Sequence, residues 1–272
     1  MKAGLLRLLD RAGLLDQALR VRDRRRYRRD REKVERDARF VADGAPDGLP
    51  VPVGDLVYLV SRQFSPEAFY RSGVEGADAI RATLRRSGVE LDGLGAILDF
   101  GCGCGRVLRQ WGVLDRVDVH GTDYNERLAG WCHQNLPFAT IATNRLQPPT
   151  DYADGTFDLV YAISVFTHLN EDLQHAWMAE LTRILAPGGH LLFSVHGPTR
   201  TGMFDDEERA RWDRGELVLR HQGYEGGNLC SAFHPERYLR EVLCRDLHFV
   251  DYVPLGASDA QQDYVLVRRR DG

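Results

Sequence analysis

Gly95-Ala-Ile-Leu-Asp-Phe-Gly-Cys-Gly-Cys-Gly-Arg106 is the stretch whose reading decides the fold. Ala96 to Phe100 is a short apolar run closed by Gly101, the pattern of a strand buried on both faces of a parallel sheet. Gly101, Gly103 and Gly105 allow a sharp turn and a close approach to a ligand, because no Cβ stands in the way. Arg106 to Trp111 continues at helical spacing, so the turn is expected to present backbone N–H groups at a helix N-terminus. Such a turn suits a nucleoside cofactor at the carboxyl end of the strand. Asp99 is placed to order this loop or to accept hydrogen bonds from a cationic ligand.

A dinucleotide-binding turn carries glycine at its first, third and sixth positions. Here the glycines fall at the first, third and fifth, and Arg106 holds the sixth. The pattern Asp99-Phe-Gly-Cys-Gly-Cys-Gly105 resembles instead the first motif of the class I S-adenosylmethionine-dependent methyltransferases. Asp154-Gly-Thr-Phe-Asp-Leu-Val-Tyr-Ala-Ile-Ser-Val-Phe-Thr-His-Leu169 resembles that family's fourth-strand motif, including Asp158 at the strand start. Arg183-Ile-Leu-Ala-Pro-Gly-Gly-His-Leu191 is similar to the family's passage into its fifth strand. A nicotinamide-dependent oxidoreductase gives no reason for the last two runs. The matches stand in the family's order across residues 95–196.

The resemblance implies an α/β fold: a Rossmann-like, mostly parallel seven-stranded sheet with helices on both faces and its last strand antiparallel. The strands are expected at 96–100, 117–122, 138–143, 157–163, 190–196, 248–253 and 264–268. Residues 1–45 then form a basic helical arm, 46–94 a helical cap, and 95–272 the core, with a specificity insertion at about 197–235 after the fifth strand. S-adenosyl-L-methionine is the implied cofactor. Gly101, Cys102 and Gly103 would meet it with backbone, and Asp123, ending the second strand, would take both ribose hydroxyls. Tyr124 would lie against the adenine. Asn144 stands where the family often has an acid reading the adenine amino group, with Arg145 beside it. Ile163 and Ser164 leave the fourth strand at the same ligand-bearing end. Tyr70 and Arg71, in the cap, are candidates for the methionyl carboxylate, against the alternatives of a packed aromatic and a surface arginine.

Composition bounds the rest. With 43% hydrophobic and 28% charged residues the chain reads as globular, and no run reaches the ~20 apolar residues of a membrane span. Five cysteines form no CxxC pair or disulfide framework, so no metal is expected and the expected compartment is the cytoplasm. Leu5, Leu6, Leu8, Leu9, Leu14, Leu15 and Leu19 suggest an amphipathic helix, weakened by Gly4 and Gly13. Residues 1–39 hold 14 Lys and Arg against 7 Asp and Glu, a balance of +7 where the remainder carries −11. Such asymmetry permits a nucleic-acid contact. No aromatic-rich recognition module accompanies it, so the arm reads as a helix with i, i+4 ion pairs or as a homo-oligomer contact.

The reaction implied by the resemblance is in-line displacement at a sulfonium methyl by an acceptor oxygen, nitrogen, sulfur or carbon. The protein's main task is then alignment, and a base is needed only where the acceptor must lose a proton. His168 and His196, at the fourth- and fifth-strand exits, are the candidate catalytic residues; helix-capping or backbone-bonded histidines are the alternative. Tyr224 and His234 in the insertion are weaker candidates. The expected acceptor is a small molecule, methylated on O or N, such as a specialised metabolite or sugar. Methylation of RNA or protein, or a non-catalytic scaffold that keeps the fold, are the alternatives.

Overall fold

The centre of the molecule is β1, Ala96–Phe100, flanked in parallel by β2, Asp118–Asp123, and by β4, Phe157–Ala162. Parallel β3, Ala139–Thr143, closes one edge beyond β2, and β5, Leu185–Val195, lies beyond β4. The chain then makes a small antiparallel pair, β6 Val218–Arg220 and β7 Ser231–Phe233. It returns through β8, His248–Ala257, and β9, Gln262–Arg268, which enters the sheet antiparallel between β5 and β8. The seven-stranded order is β3-β2-β1-β4-β5-β9-β8. This is the Rossmann-like methyltransferase arrangement; each strand overlaps its expected run, but β5 begins at Leu185 where the sequence places His190, and β8 and β9 extend to Ala257 and Gln262. The computed structural model describes residues 14–227 and 229–271, so Leu5, Leu6, Leu8, Leu9, Gly4 and Gly13 of the amphipathic reading lie outside the described residues. Among the described residues no helix is long and apolar enough to cross a membrane.

The sheet is strung from motif residues. Asp158 at the start of β4 accepts the N–H groups of Gly95 and Ala96, 2.6 and 3.1 Å away, fixing where β1 begins. Leu98, Phe100 and Val160 turn one face of the sheet toward α6, Glu171–Ile184, where Phe100 and Trp177 have ring centroids 4.5 Å apart. Asn170 caps α6 by accepting the Leu173 N–H at 3.0 Å. On the opposite face, Asp99 lies in register with Gly121 and Tyr161. There α5, Glu126–Asn135, packs Cys132 and Leu136 beneath the glycine turn.

Two expectations about helices change. The segment after the glycine turn is a 3-10 turn, Leu108–Trp111, and not an α-helix. Arg109 N still reaches Gly105 O, but Gln110 and Gly112 bond only three residues back. Val107, Leu108, Arg109 and Trp111 are all buried, so side-chain packing holds this turn and the chain escapes at Gly112. Within the cap the sequence places a helix near Val74 to Ser87; the helix begins earlier, at Pro66, and runs to Arg86, because the Ser65 hydroxyl accepts the Ala68 N–H at 3.2 Å.

The chain divides into two compact units after Ser72, inside that helix. The first contains α1, Leu15–Arg29, α2, Arg31–Asp43, α3, Asp55–Ser61, and the start of α4, Pro66–Arg86. Its buried anchor is Asp37, which accepts from Tyr27 Oη at 2.9 Å, Ser65 Oγ at 2.7 Å and Glu67 N at 3.3 Å. Arg20 and Arg24 pair with Asp55, and Arg36 with Glu67, across helices. Long-range partners therefore take arginines that the i, i+4 reading assigned to local pairs.

Arg183 and Glu180 explain one motif in the second unit. Buried Glu180 accepts from Thr150 N and Oγ1 at 2.7 and 2.6 Å and from Arg183, which also reaches Asp154 and the Tyr152 carbonyl. The pair thus holds the β3–β4 connection. Arg183, with Thr150, holds the Glu180 carboxyl down to about 2 against a reference of ~4.3. A depressed folded value gives stability that is complete above the unfolded value and fades as pH falls toward the folded one. Glu180→Gln should therefore cost about 1.5–3 kcal/mol at pH 7 in urea unfolding. The gap to wild type should be the same at pH 5.5 and visibly smaller at pH 3.

Candidate active site

The glycine turn is welded to the end of β2. Gly101 N and Cys102 N both donate to the Thr122 carbonyl, at 2.8 and 3.0 Å. Gly101 has φ +82°, and a Cβ there would stand 2.4 Å from Val165 Cγ2, so this glycine serves packing. Gly103, at φ +58°, donates its N–H to Asp123 Oδ2 at 2.8 Å. Asp123 Oδ1 accepts the Asn125 N–H at 2.8 Å. Each carboxylate oxygen keeps a second lone pair at the carboxyl end of β2. Burial pushes the Asp123 carboxyl up, and those two N–H groups pull it back.

The polar groups of Cys102 all have partners within the chain. Its N–H goes to Thr122, its carbonyl accepts from Gly105 N at 3.0 Å, and its thiol shares the Gly103 carbonyl with that of Cys132. Five buried free thiols are present, and no cluster of His, Cys, Asp and Glu among the described residues suits a metal. Asp99 is equally interior. Burial lifts its carboxyl to about 7, opposed by Tyr161 and Arg106, and it also bonds the Leu108 backbone. Trp111 Nε1 donates to the Tyr161 hydroxyl at 2.7 Å, so Asp99 orders the turn from below.

The exits of β4 and β5 form the other half. Ser164 is non-glycine at φ +58°, and its N–H donates to Ser194 Oγ at 2.7 Å. His168 and His196 come together, ring centroids 6.4 Å apart and edge to face. His168 Nδ1 lies 2.7 Å from the Cys230 carbonyl and His196 Nδ1 3.2 Å from that of Ala232. A carbonyl only accepts, so both rings carry their proton on Nδ1, and each Nε2 has its lone pair. Burial, with His168 and Arg200 nearby, lowers His196 to about 4. His234 is fully buried with Nε2 2.9 Å from Gln174 Oε1, and burial lowers it to about 3, a structural place.

The insertion turns back over the site. Tyr124 donates its hydroxyl to the Gly226 carbonyl at 2.8 Å, and Gly226 N donates to the His168 carbonyl at 2.9 Å. Asn170 Nδ2 adds a bond to Glu225 at 3.1 Å. Tyr124 follows β2 and His168 follows β4, so this segment crosses the carboxyl end of β1. The sequence reading takes 224–228 as flexible, yet 224–227 are held at both sides, and Asn228 lies outside the described residues. Asn144 Oδ1 accepts from Thr122 Oγ1 at 2.7 Å and its Nδ2 donates to the Arg145 carbonyl, beside a cavity of about 300 Å³ also lined by Thr143 and Tyr152. Arg145 is exposed and Ile163 half-buried. Tyr70 and Arg71 belong to the first unit, where Tyr70 packs on Phe40 and exposed Arg71 is 3.9 Å from Glu67.

Sequence reasoning passed over the tip between β8 and β9. Asp259 there pairs with Arg106, directly after the glycine turn. Gln262 reaches Ser164, Ser194 and His196. A short turn between two strands was the only signal, and it does not say which site the tip meets.

Residues 98–193 match the family model described as a methyltransferase domain. Residues 98–193, about a third of the chain, thus carry a methyltransferase domain. A S-adenosylmethionine-dependent methyltransferase of Methanosarcina mazei superposes with a TM-score of 0.50 at 16% identity, over 65% of this chain and 93% of that one. The Haloferax volcanii complex of the Trm112 activator with a putative methyltransferase gives 0.54 at 12%, over 81% and 99%. The 1,6-didemethyltoxoflavin-N1-methyltransferase of Burkholderia thailandensis, with that compound and S-adenosylhomocysteine bound, gives 0.52 at 18%, over 74% and 80%. At these identities the likeness is one of fold.

The donor set fits S-adenosylmethionine: an oriented carboxylate at the end of β2 beside a turn that lacks a Cβ at Gly103. S-adenosylhomocysteine should bind in calorimetry, and NAD should not bind comparably. Asp123→Ala should weaken the binding by roughly 1.5–3 kcal/mol, the range for hydrogen bonds to a charged group. Equal affinity in wild type and variant would remove Asp123 from the site. Gly103→Val should abolish binding with an unchanged far-ultraviolet circular dichroism spectrum, since a β-branched residue at that φ is strained.

Proposed function

We propose that this methyltransferase acts on the oxygen or nitrogen of a small molecule, such as a specialised metabolite or sugar, with His196 as proton acceptor and His168 beside it. The observation that carries the reading is the roof, Gly226 bonded to Tyr124 on one side and His168 on the other. A covered site suits an acceptor that fits beneath residues 223–227 better than a duplex or a folded protein. S-adenosylmethionine supplies the electrophilic methyl and its own leaving group when bound.

The chain's own residues do the rest. Gly103 and Asp123 seat the nucleoside, and Ser164 and Ile163 shape the wall toward the acceptor. The Ala232 carbonyl keeps the proton on His196 Nδ1, so Nε2 is the atom that receives one. His196 is neutral throughout the physiological range. A ring of such low basicity takes a proton from an acidic hydroxyl, or from a nitrogen that turns cationic as the new bond forms. Free thiols at all five cysteines accord with a cytoplasmic setting.

Cell extract incubated with the enzyme and isotopically labelled S-adenosylmethionine should acquire label in its small-molecule fraction, read by mass shift. Label confined to RNA or protein would overturn the reading. With the acceptor so found, His196→Gln should bind S-adenosylhomocysteine normally and lose about 10²–10⁴-fold in turnover, the usual contribution of a general base.

A further inference from the structure

Gln262 opens β9 with only 4% of its surface exposed, and its side-chain amide is committed on every side. Ser194 Oγ accepts from Ser164 N at 2.7 Å and donates to Gln262 Oε1, 2.6 Å away. The lone pair on His196 Nε2 needs a donor opposite it, which assigns the other end of the amide as nitrogen. The amide nitrogen therefore faces Ser164 Oγ at 2.7 Å and His196 Nε2 at 3.5 Å. Its two hydrogens match these two acceptors in number.

The partners are not incidental packing neighbours. Ser164 holds a left-handed backbone conformation that non-glycine residues rarely adopt, and its bonds to Ser194 and from Gln262 hold it there. The Gln262 backbone is itself anchored on two flanks. Asp259 pairs with Arg106 after the glycine turn, and Arg200, after β5, donates to the carbonyls of Gln261 and Ala260 at 3.3 Å.

We propose that Gln262 is the positioning residue of the acceptor side: one N–H sets the exit of β4 at Ser164, and the other orients the His196 ring with Nε2 turned to the reacting end. The proposal rests on His196 as proton acceptor. An acceptor hydroxyl arriving at Nε2 displaces a long N–H contact, so little is lost when the ring changes partner.

The groups facing His196 are His168 from the β4 exit, Arg200 from the turn after β5, and His234 from beyond β7. All are neutral or cationic. Gln262→Glu keeps an acceptor for Ser194 and sets a carboxylate oxygen against His196. In the full-length protein, ¹⁵N NMR of the His196 ring, assigned with His196→Gln, should show protonation moved upward by roughly one pH unit or more in Gln262→Glu. In Gln262→Leu the Ala232 carbonyl still holds the proton on Nδ1, but the His196 Nε2 resonance should shift as it loses its donor and the ring signals should broaden as the ring is freed. S-adenosylhomocysteine affinity should stay within about threefold in both, since Gly103 and Asp123 are untouched. Wild-type titration in Gln262→Glu together with an unmoved, sharp Nε2 resonance in Gln262→Leu would overturn the proposal. Should Gln262→Glu fail to fold, the Nε2 resonance in Gln262→Leu decides alone. Undiminished label transfer by His196→Gln would remove the base while leaving the ring-orientation readout standing, so the two failures are distinguishable.

Discussion

The Thr122 carbonyl, shared by the N–H groups of Gly101 and Cys102, is the constraint on which the site depends. It clamps the end of β1 to the end of β2 and leaves the next N–H, that of Gly103, aimed at Asp123. The turn cannot slide by one residue without breaking three hydrogen bonds. Leu136 and Val165 fill the space that side chains at Gly105 and Gly101 would need. The shape of the turn and the orientation of the Asp123 carboxylate are therefore in place before any ligand arrives.

This half of the site was legible because it is local. A strand, a tight turn and a strand-ending acid lie within about 30 residues, and each signature follows from backbone sterics or burial. The Asp154–Leu169 run was legible through the family resemblance and not through locality, since Asp158 binds Gly95 and Ala96 more than 60 positions back, and Arg183 joins Glu180 one turn away to Asp154, 29 positions back. The exception within the motif is Cys102, whose inward thiol depends on Cys132 from the following helix.

The half at the exits of β4 and β5 was legible only as two histidines. Their tautomers are set by Cys230 and Ala232, 62 and 36 positions further along, on a strand pair too short to leave a periodic signal. Gln262 was invisible for a similar reason. A glutamine at a strand start is unremarkable until β9 inserts antiparallel between β5 and β8 and carries it to the exits of β4 and β5. The N-terminal arginines mislead in the opposite direction, since their local abundance conceals carboxylate partners 31 positions or more away.

The crossing segment at Gly226 has a kinetic meaning. Three hydrogen bonds, from Tyr124, to His168 and from Asn170, close it. At about 1 kcal/mol net apiece they favour the closed form so that roughly one molecule in a hundred stands open at any instant. A molecule held beneath residues 224–227 exchanges with solvent at the pace of that opening, on the microsecond-to-millisecond scale of loop motion. The same three bonds that shelter such an occupant therefore lengthen its stay.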